Sequence, residues 1–458
     1  MVVGAHIGRR VGPRSFTIEL GAPMDRETRI PLFDLVACVS DALDLVSPAV
    51  VNHHMQVAYV ATALAAELGL PQRQRNALTV AGALHDIGAF SAKERQDTLA
   101  FELARPHRHA KIGGMLLTMF EPFAETAGMV LFHHVPWNGG QGKEFAGVEV
   151  PLESHILHLA DRIAVLVKPG PSVLGNVDAI RARISEQSGK MFAPELVSAF
   201  EGLAVKEYFW LDLASPDLKW VLRQRSQLGT LGLDINGLGR FSDLFRRLID
   251  FRSHYTATHC SGVRATADAL AQCAGFSERE CHEMSVASRL HDVGKLAIPL
   301  EILEKPARLT EDEFAVMRGH VYHTFRILEP IEGLRQIRNW ASFHQERLNG
   351  RGYPFHLSAP ELPLGARLLA VADVFTAITE DRPYRAGMTS DEALAALDRM
   401  VDSIELDGDV VSLVRNDFDA INALRVRAQR AASEEYGEFF RTVTEDPVIR
   451  REEAGEAS

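Results

Sequence analysis

Cysteine is scarce: four in 458 residues (Cys38, Cys260, Cys273 and Cys281), none in Cys-x-x-Cys spacing. That excludes a disulfide framework and fits a chain kept in a reducing cytosol. Long apolar runs are missing, and the N-terminus has no apolar core of a leader peptide, so the expectation is a cytoplasmic protein with no membrane span. Positive charge is in deficit: the net charge of −12 argues against general nucleic-acid binding but leaves room for a local basic pocket that takes a small anion. Aromatic residues are few, at 7%. Strand-like alternation is rare too. Apolar residues instead recur at helical spacing, as in Leu32, Phe33, Leu35, Val36, Ala42, Leu43, Leu45 and Val46. Ser277 with Glu280, Thr310 with Glu313 and Thr389 with Glu392 have the spacing of N-terminal capping boxes. The expected class is all-α, and the length calls for two to three domains.

The glycine-rich stretch Leu228–Gly239 breaks the helical pattern and reads as a linker. It divides a first half, 26–227, from a second, 240–430. Residues 1–25 read as an N-terminal tail, and the acidic residues 431–458 as a C-terminal tail that is partly disordered.

The organising stretch is Arg289-Leu-His-Asp-Val-Gly-Lys295. Adjacent residues on a helix point about 100° apart, so one face cannot bury both His291 and Asp292. At a helix end they can converge on a metal ion instead. An imidazole nitrogen and a carboxylate oxygen suit iron, manganese or zinc, and a carboxylate can bridge two ions. The alternative, a simple capping pair, loses weight because the pair recurs. His85-Asp86 lies 206 positions before His291-Asp292, as His53 does before His259 and Gly69 before Gly275. Beyond the pair the offset is 211, matching His109 to His320, His133 to His344 and Asn138-Gly139 to Asn349-Gly350; Asp161 matches Asp373 at 212. Histidines and aspartates repeated in one order are the mark of two metal-ligand sets. Five helical segments can bring His259, His291-Asp292, His320, His344 and Asp373 around two cations bridged by Asp292. Such a pair can activate water to hydroxide and neutralise a phosphate oxygen.

The second half resembles an HD-GYP domain, the branch of the HD phosphohydrolase superfamily that hydrolyses cyclic dinucleotides. The resemblance rests on Tyr255-Thr-Ala-Thr-His259, His291-Asp-Val-Gly-Lys295, Met317-Arg-Gly-His320, His344-Gln-Glu-Arg-Leu-Asn-Gly-Arg-Gly-Tyr-Pro354, Ala372-Asp373 and Asp381-Arg-Pro-Tyr-Arg385. It implies that His259, His291, Asp292 and Asp373 hold one metal and Asp292, His320 and His344 the other, iron or manganese first, zinc or nickel next. Lys295 would stabilise phosphoryl charge or protonate the leaving oxygen. Arg382 and Arg385 would grip the second phosphate and the base. Gly352, Tyr353 and Pro354 would shape the pocket and meet partner proteins, a second copy or a signalling protein. The implied activity is hydrolysis of a cyclic dinucleotide by metal-activated hydroxide, with cyclic di-GMP as substrate and 3′,3′-cyclic GMP-AMP as the alternative. The latter gains from the arrangement of a plain HD domain before HD-GYP. A non-catalytic effector that binds the nucleotide and signals through a partner is the reading of another class.

Two departures stand out. Gln345 replaces the second histidine of the family's His-His-Glu, and an amide oxygen is a poorer ligand than imidazole. Tyr255 replaces the Glu of trinuclear members, which argues against a third metal. The first half resembles a plain HD domain: it keeps His53, His85, Asp86, His109, His133, His134 and Asp161, but has Ala89 at the lysine position and no arginine fork. It reads as a metal-loaded, regulatory domain with weak or no activity on the dinucleotide; a second phosphoesterase and a metal-free relic are the other readings. His54, His107, His155 and His158 read as ordinary core or surface histidines, and Glu346 as an orienting group or a partner of Arg347.

Overall fold

In the computed structural model, residues 28–47, 51–103, 105–167, 173–381 and 386–454 are described, without the side chains of His254 and Tyr255. The fold is helical, as expected. The only strands among these residues are two short antiparallel pairs.

The first half is built from α1 (Leu32–Asp44), α2 (His53–Glu67), α3 (Gln72–Leu84), α4 (Ala92–Thr98), α5 (His107–Leu117), α6 (Ala127–Leu131) and α7 (Leu152–Leu166), followed by four shorter helices between 177 and 225. The second repeats the plan with α8 (Ile235–Asp250), α9 (His254–Cys273), α10 (Glu278–Leu290), α11 (Glu311–Leu328), α12 (Arg335–Ser342) and α13 (Leu364–Thr379). In each half one helix is central: α2 packs against α3 and α7, and α9 against α10 and α13. The three anticipated capping boxes form, each Ser or Thr accepting from the amide of its glutamate; Ser91 and Glu94 make another at α4. Gly69 and Gly275 end α2 and α9 with φ of 71° and 76°, and the next amide returns to the carbonyl of Ala65 or Ala271. A left-handed residue at that point closes a helix, and glycine adopts it without a Cβ penalty.

Two expectations about the connecting regions are corrected. Part of the glycine-rich 228–239 segment is regular. Thr230–Leu233 is a strand, β2, paired with β1 (Thr28–Pro31), and the segment then enters α8, capped by Asp234 on the amide of Gly237. The acidic end is helical rather than irregular. Through residue 454 it consists of α14 (Phe418–Thr444) and α15 (Pro447–Glu453), with Phe439, Val443 and Ile449 buried. Phe439 stacks on Phe251 with ring centroids 4.0 Å apart. The far end of α14 and α15 reach the first half: Glu452 accepts from the amide of His107 at 2.9 Å, and Lys111 pairs with Asp446 at 3.0 Å. The tail reading of 1–25 lies outside the described residues.

The halves also meet through aromatic rings. Phe90, four residues past Asp86, lies 5.9 Å from Phe251, and Phe120 lies 5.4 Å from Phe241. Among the described residues, no helix is long and apolar enough to cross a membrane.

Candidate metal centres

Each half gathers its histidines and aspartates at one end of its central helix. In the second half, α9 carries His259, the end of α10 carries His291 and Asp292, α11 carries His320, the turn after α12 carries His344, and α13 carries Asp373. All six are buried. Asp292 is the hub: Oδ2 lies 3.1 Å from His291 Nε2 and 2.6 Å from the Lys295 ammonium, and Oδ1 lies 3.4 Å from His320 Nε2 and 4.0 Å from His344 Nε2. His259 Nε2 is 3.0 Å from Asp373 Oδ1.

The backbone aims these rings. His291, His320 and His344 each donate from Nδ1 to a carbonyl three residues earlier (Ser288, Met317 and Ala341, at 2.7, 2.7 and 2.6 Å), which leaves each Nε2 unprotonated and directed inward. Gly294 lets α11 approach the His-Asp turn: a Cβ there would lie 1.9 Å from the His320 carbonyl oxygen. Thr324 fastens the same contact, accepting from the Gly294 amide and donating to the His291 carbonyl, both at 3.0 Å.

The first half repeats the geometry. Asp86 Oδ1 lies 3.4 Å from His109 Nε2 and 3.8 Å from His133 Nε2, His85 Nε2 is 3.5 Å from Asp86 Oδ2, and His53 Nε2 is 3.3 Å from Asp161 Oδ1. His134, where the second half has Gln345, faces His109 at 2.9 Å. Gly88 plays the part of Gly294, its Cβ position lying 2.1 Å from the His109 carbonyl oxygen.

The donor sets fit divalent cations. His53, His85 and His133 at Nε2, both Asp86 oxygens, Asp161 Oδ1, His291 Nε2 and Asp292 Oδ1 are buried without a hydrogen-bond partner, a costly state that a bound cation relieves. The donor atoms of Asp86, His109, His133 and His134, of His259, His291 and Asp373, and of His291, Asp292 and His344 each fall within 4.8 Å of one another. Burial holds His344 and His85 down to about 3, and His320 and His109 to about 4, so these rings are neutral and able to ligate. Burial also opposes charge on Asp292, but His291 and Lys295 outweigh it and keep the carboxyl well below its usual range. His259 goes the other way: burial lowers it, while the carboxylates of Glu380 and Asp373 on its two nitrogens raise it to about 9.

The surroundings of the two centres differ. In the second half the Lys295 ammonium reaches Asp292 and its side chain keeps 17% of its exposure. Gln345 donates to Asp373 Oδ2 at 2.8 Å and accepts from the Tyr353 hydroxyl at 3.1 Å, which brings the Gly350–Pro354 loop over the cluster. Of the two readings of Glu346, the ion pair is not the one made: Arg347 faces Glu405 at 4.0 Å, and Glu346 is buried. Its carboxylate accepts from the amides of Phe355 and Leu357 at 2.7 and 3.0 Å, tying down the loop's return. Gly352 is needed there, since a Cβ would lie 2.3 Å from the Glu346 Cα. Arg382 and Arg385 lie outside the described residues.

In the first half, buried Ala89 offers nothing, and two buried guanidiniums close in instead. Arg162 binds Asp161 and the carbonyls of Thr98 and Ala100, and Arg95 on α4 meets His54 Nε2 at 2.9 Å. His54 is no bystander: its other nitrogen bonds Asp44 at 2.6 Å.

Sequence reasoning missed several contributors: Arg95 and Arg162, Thr324, Arg252 (whose guanidinium binds the carbonyls of Lys295, Leu296 and Ile298) and Glu380, on His259 Nδ1 at 3.2 Å.

A helical fold carrying paired His-Asp clusters at a helix end defines a class of metal-dependent phosphohydrolases. The chain belongs to the HD domain family, whose model matches residues 37–183 and 243–410. It is similar to the 3′3′-cGAMP-specific phosphodiesterase 1 of Vibrio cholerae, 28% identical over 420 residues, covering 87% of this chain and 95% of the relative. It is also similar to the cyclic di-GMP phosphodiesterase response regulator RpfG of Xanthomonas campestris, 40% identical over 154 residues, 33% of this chain and 40% of that one. In fold it resembles the crystal structure of a cyclic GMP-AMP specific phosphodiesterase of V. cholerae, V-cGAP3. The TM-score is 0.61 at 22% identity, covering 86% of this chain and 98% of the other.

Proposed function

We propose that the chain is a phosphodiesterase that hydrolyses a 3′,5′-linked cyclic dinucleotide at the second-half centre. The observation that carries this reading is what surrounds Asp292: a partly exposed ammonium 2.6 Å away on Lys295, and a loop whose Tyr353 reaches Asp373 through Gln345. The first half has the same cluster without either feature.

His259, His291, Asp292 and Asp373 would hold one divalent ion and Asp292, His320 and His344 a second; nitrogen and oxygen donors without thiolate suit iron or manganese, then zinc or nickel. Bound there, the ions would supply Lewis acidity at a phosphodiester oxygen and make a water more acidic. The chain's own groups then have distinct tasks. Lys295 holds positive charge and a proton at the edge of the cluster, placed to meet a phosphoryl or leaving oxygen. Tyr353, with Gly352 and Pro354, lines one side. Arg382 and Arg385 are proposed to grip the second phosphate and the base. Exposed Arg351 at the loop's edge is open to a partner protein or a second copy. The first half is proposed to bind metal without cleaving the dinucleotide and to modulate the second.

Within the substrate class, cyclic di-GMP and 3′,3′-cyclic GMP-AMP both suit this site. One observation favours the mixed dinucleotide: the relative matched along 87% of the chain bears that name, whereas the cyclic di-GMP relative matches a third of it. The test is to incubate the purified chain with each dinucleotide and Mn²⁺ or Fe²⁺ and to resolve the products by chromatography. Cleavage of either supports the reading. Tight binding without cleavage of both would instead support a non-catalytic effector.

A further inference from the structure

His259 stands apart from the other histidines of its centre. His291, His320 and His344 give their Nδ1 protons to backbone carbonyls of their own turn, whereas His259 Nδ1 lies 3.2 Å from both oxygens of the Glu380 carboxylate. Glu380 is 6% exposed and closes α13, seven residues after Asp373. Its Oε2 accepts from the side-chain amide of Gln429 at 3.0 Å, and Gln429 Oε1 accepts from Arg425. Gln429 and Arg425 lie on α14, beyond residue 410, where the family match ends. Gly262, one turn past His259, makes the room: a Cβ there would stand 2.9 Å from Gln429 Nε2.

We propose that Glu380 is the positioning residue for His259 and that Gln429 fixes Glu380, so that α14 is part of the second-half metal centre. The proposal rests on the metal assignment above and deepens it. A carboxylate on Nδ1–H selects the tautomer whose Nε2 lone pair faces the cluster, stops rotation of the ring and raises its strength as a donor. Unlike a carbonyl of the same helix, this carboxylate comes from another element and is held by a third. The orientation of His259 therefore depends on how α14 sits on α9. The far end of α14, with α15, is anchored on α5, the helix that carries His109 of the other centre.

The experiment measures Mn²⁺ affinity of the metal-stripped full chain by calorimetry, without nucleotide, for wild type, Glu380→Ala, Glu380→Gln, Gln429→Ala, His259→Ala and the Glu380→Ala/His259→Ala pair. Circular dichroism checks folding. Loss of a carboxylate that orients a ligand costs roughly 10–100-fold in metal affinity, and that loss is expected for Glu380→Ala. Glu380→Gln keeps an acceptor for the Nδ1 proton and should retain most of the affinity, and Gln429→Ala should lose less than Glu380→Ala. In the His259→Ala background the Glu380 substitution should have no further effect. The proposal is overturned if Glu380→Ala binds Mn²⁺ as wild type does, if its loss persists without His259, or if Glu380→Gln loses as much as alanine, which would make Glu380 a ligand. Should Glu380→Ala fail to fold, Glu380→Gln and Gln429→Ala still decide. Because metal binding is read without nucleotide, failure of the wild type to cleave any dinucleotide would remove the proposed activity and leave this test standing.

Discussion

Gln345 donates its side-chain amide to Asp373 Oδ2 at 2.8 Å, so the nitrogen, not the oxygen, faces the carboxylate of the centre. A carboxylate only accepts, and the amide oxygen is occupied by the Tyr353 hydroxyl. Gln345 is thus a strut between loop and ligand where its first-half counterpart, His134, turns a ring nitrogen toward His109. Gln345→His should add a ligand and tighten Mn²⁺ binding by roughly tenfold, about 1.4 kcal/mol. It should also free the Tyr353 hydroxyl and weaken substrate binding. Isothermal titration with metal and with dinucleotide separates these effects; unchanged metal affinity would mean the new ring does not reach the cluster.

Lys295 sits 2.6 Å from Asp292 at the accessible edge of the centre. Lys295→Ala should lower turnover by ~10²–10⁴-fold, the usual contribution of a group that donates or holds a proton in the transition state. Metal content by elemental analysis should not change. A rate equal to wild type would reduce Lys295 to a counter-ion of Asp292.

Arg252 is buried, and its guanidinium serves the carbonyls of Lys295, Leu296 and Ile298. It therefore holds the short turn that presents Lys295. Arg252→Met removes this charged donor from all three carbonyls, of which only that of Lys295 keeps another partner, the Ile298 amide at 3.0 Å; hydrogen bonds to charged groups contribute about 1.5–3 kcal/mol each. Chemical denaturation should show a loss of about 3 kcal/mol or more, together with slower turnover. A variant as stable as wild type would show that other donors replace it.

The metal-stripped chain should lose stability on acidification. His85, His109, His158, His320 and His344 are held at about 3 to 4 in the fold by burial, below the ordinary 6.5. Between those values the unfolded chain binds more protons, so stability rises with pH there and is lost as pH falls. His259, raised to about 9, acts oppositely: its contribution is present below 6.5 and lost as pH climbs through 9. Asp250, raised to about 8 by burial, acts in the same sense as His259, while His107, lowered to about 4 by burial, joins the five. The lowered histidines outnumber the raised groups and predict a lower melting temperature at pH 5 than at pH 7 by calorimetry of chelator-treated protein. An equal or higher value at pH 5 would contradict the burial argument.

Much of this was legible in the chain because it is local. Capping boxes span three residues, and the His-Asp pair at a helix end reads as two groups converging on a metal. The repeat made each observation count twice. What was not legible is long-range. The strand at 230–233 exists only through its partner at 28–31, about two hundred residues earlier. The acidic end was judged by charge, which hides Phe439, Val443 and Ile449 on the buried side of α14 and α15. No local motif marks Arg95 or Arg162, yet both are buried beside the first-half cluster. Glu380 was the nearest to being found, since it follows Asp373 by seven residues and so shares its helix face.

The central claim is that two similar clusters have different tasks, and that the one around Asp292 cleaves a cyclic dinucleotide. Hydrolysis of cyclic di-GMP and 3′,3′-cyclic GMP-AMP by Asp86→Asn and Asp292→Asn, with the metal content of each, tests it most directly. Asp292→Asn should lose all cleavage, while Asp86→Asn loses first-half metal and keeps cleavage, changed at most in rate or selectivity. Cleavage that survives Asp292→Asn and disappears in Asp86→Asn would place the chemistry in the other half and contradict the account.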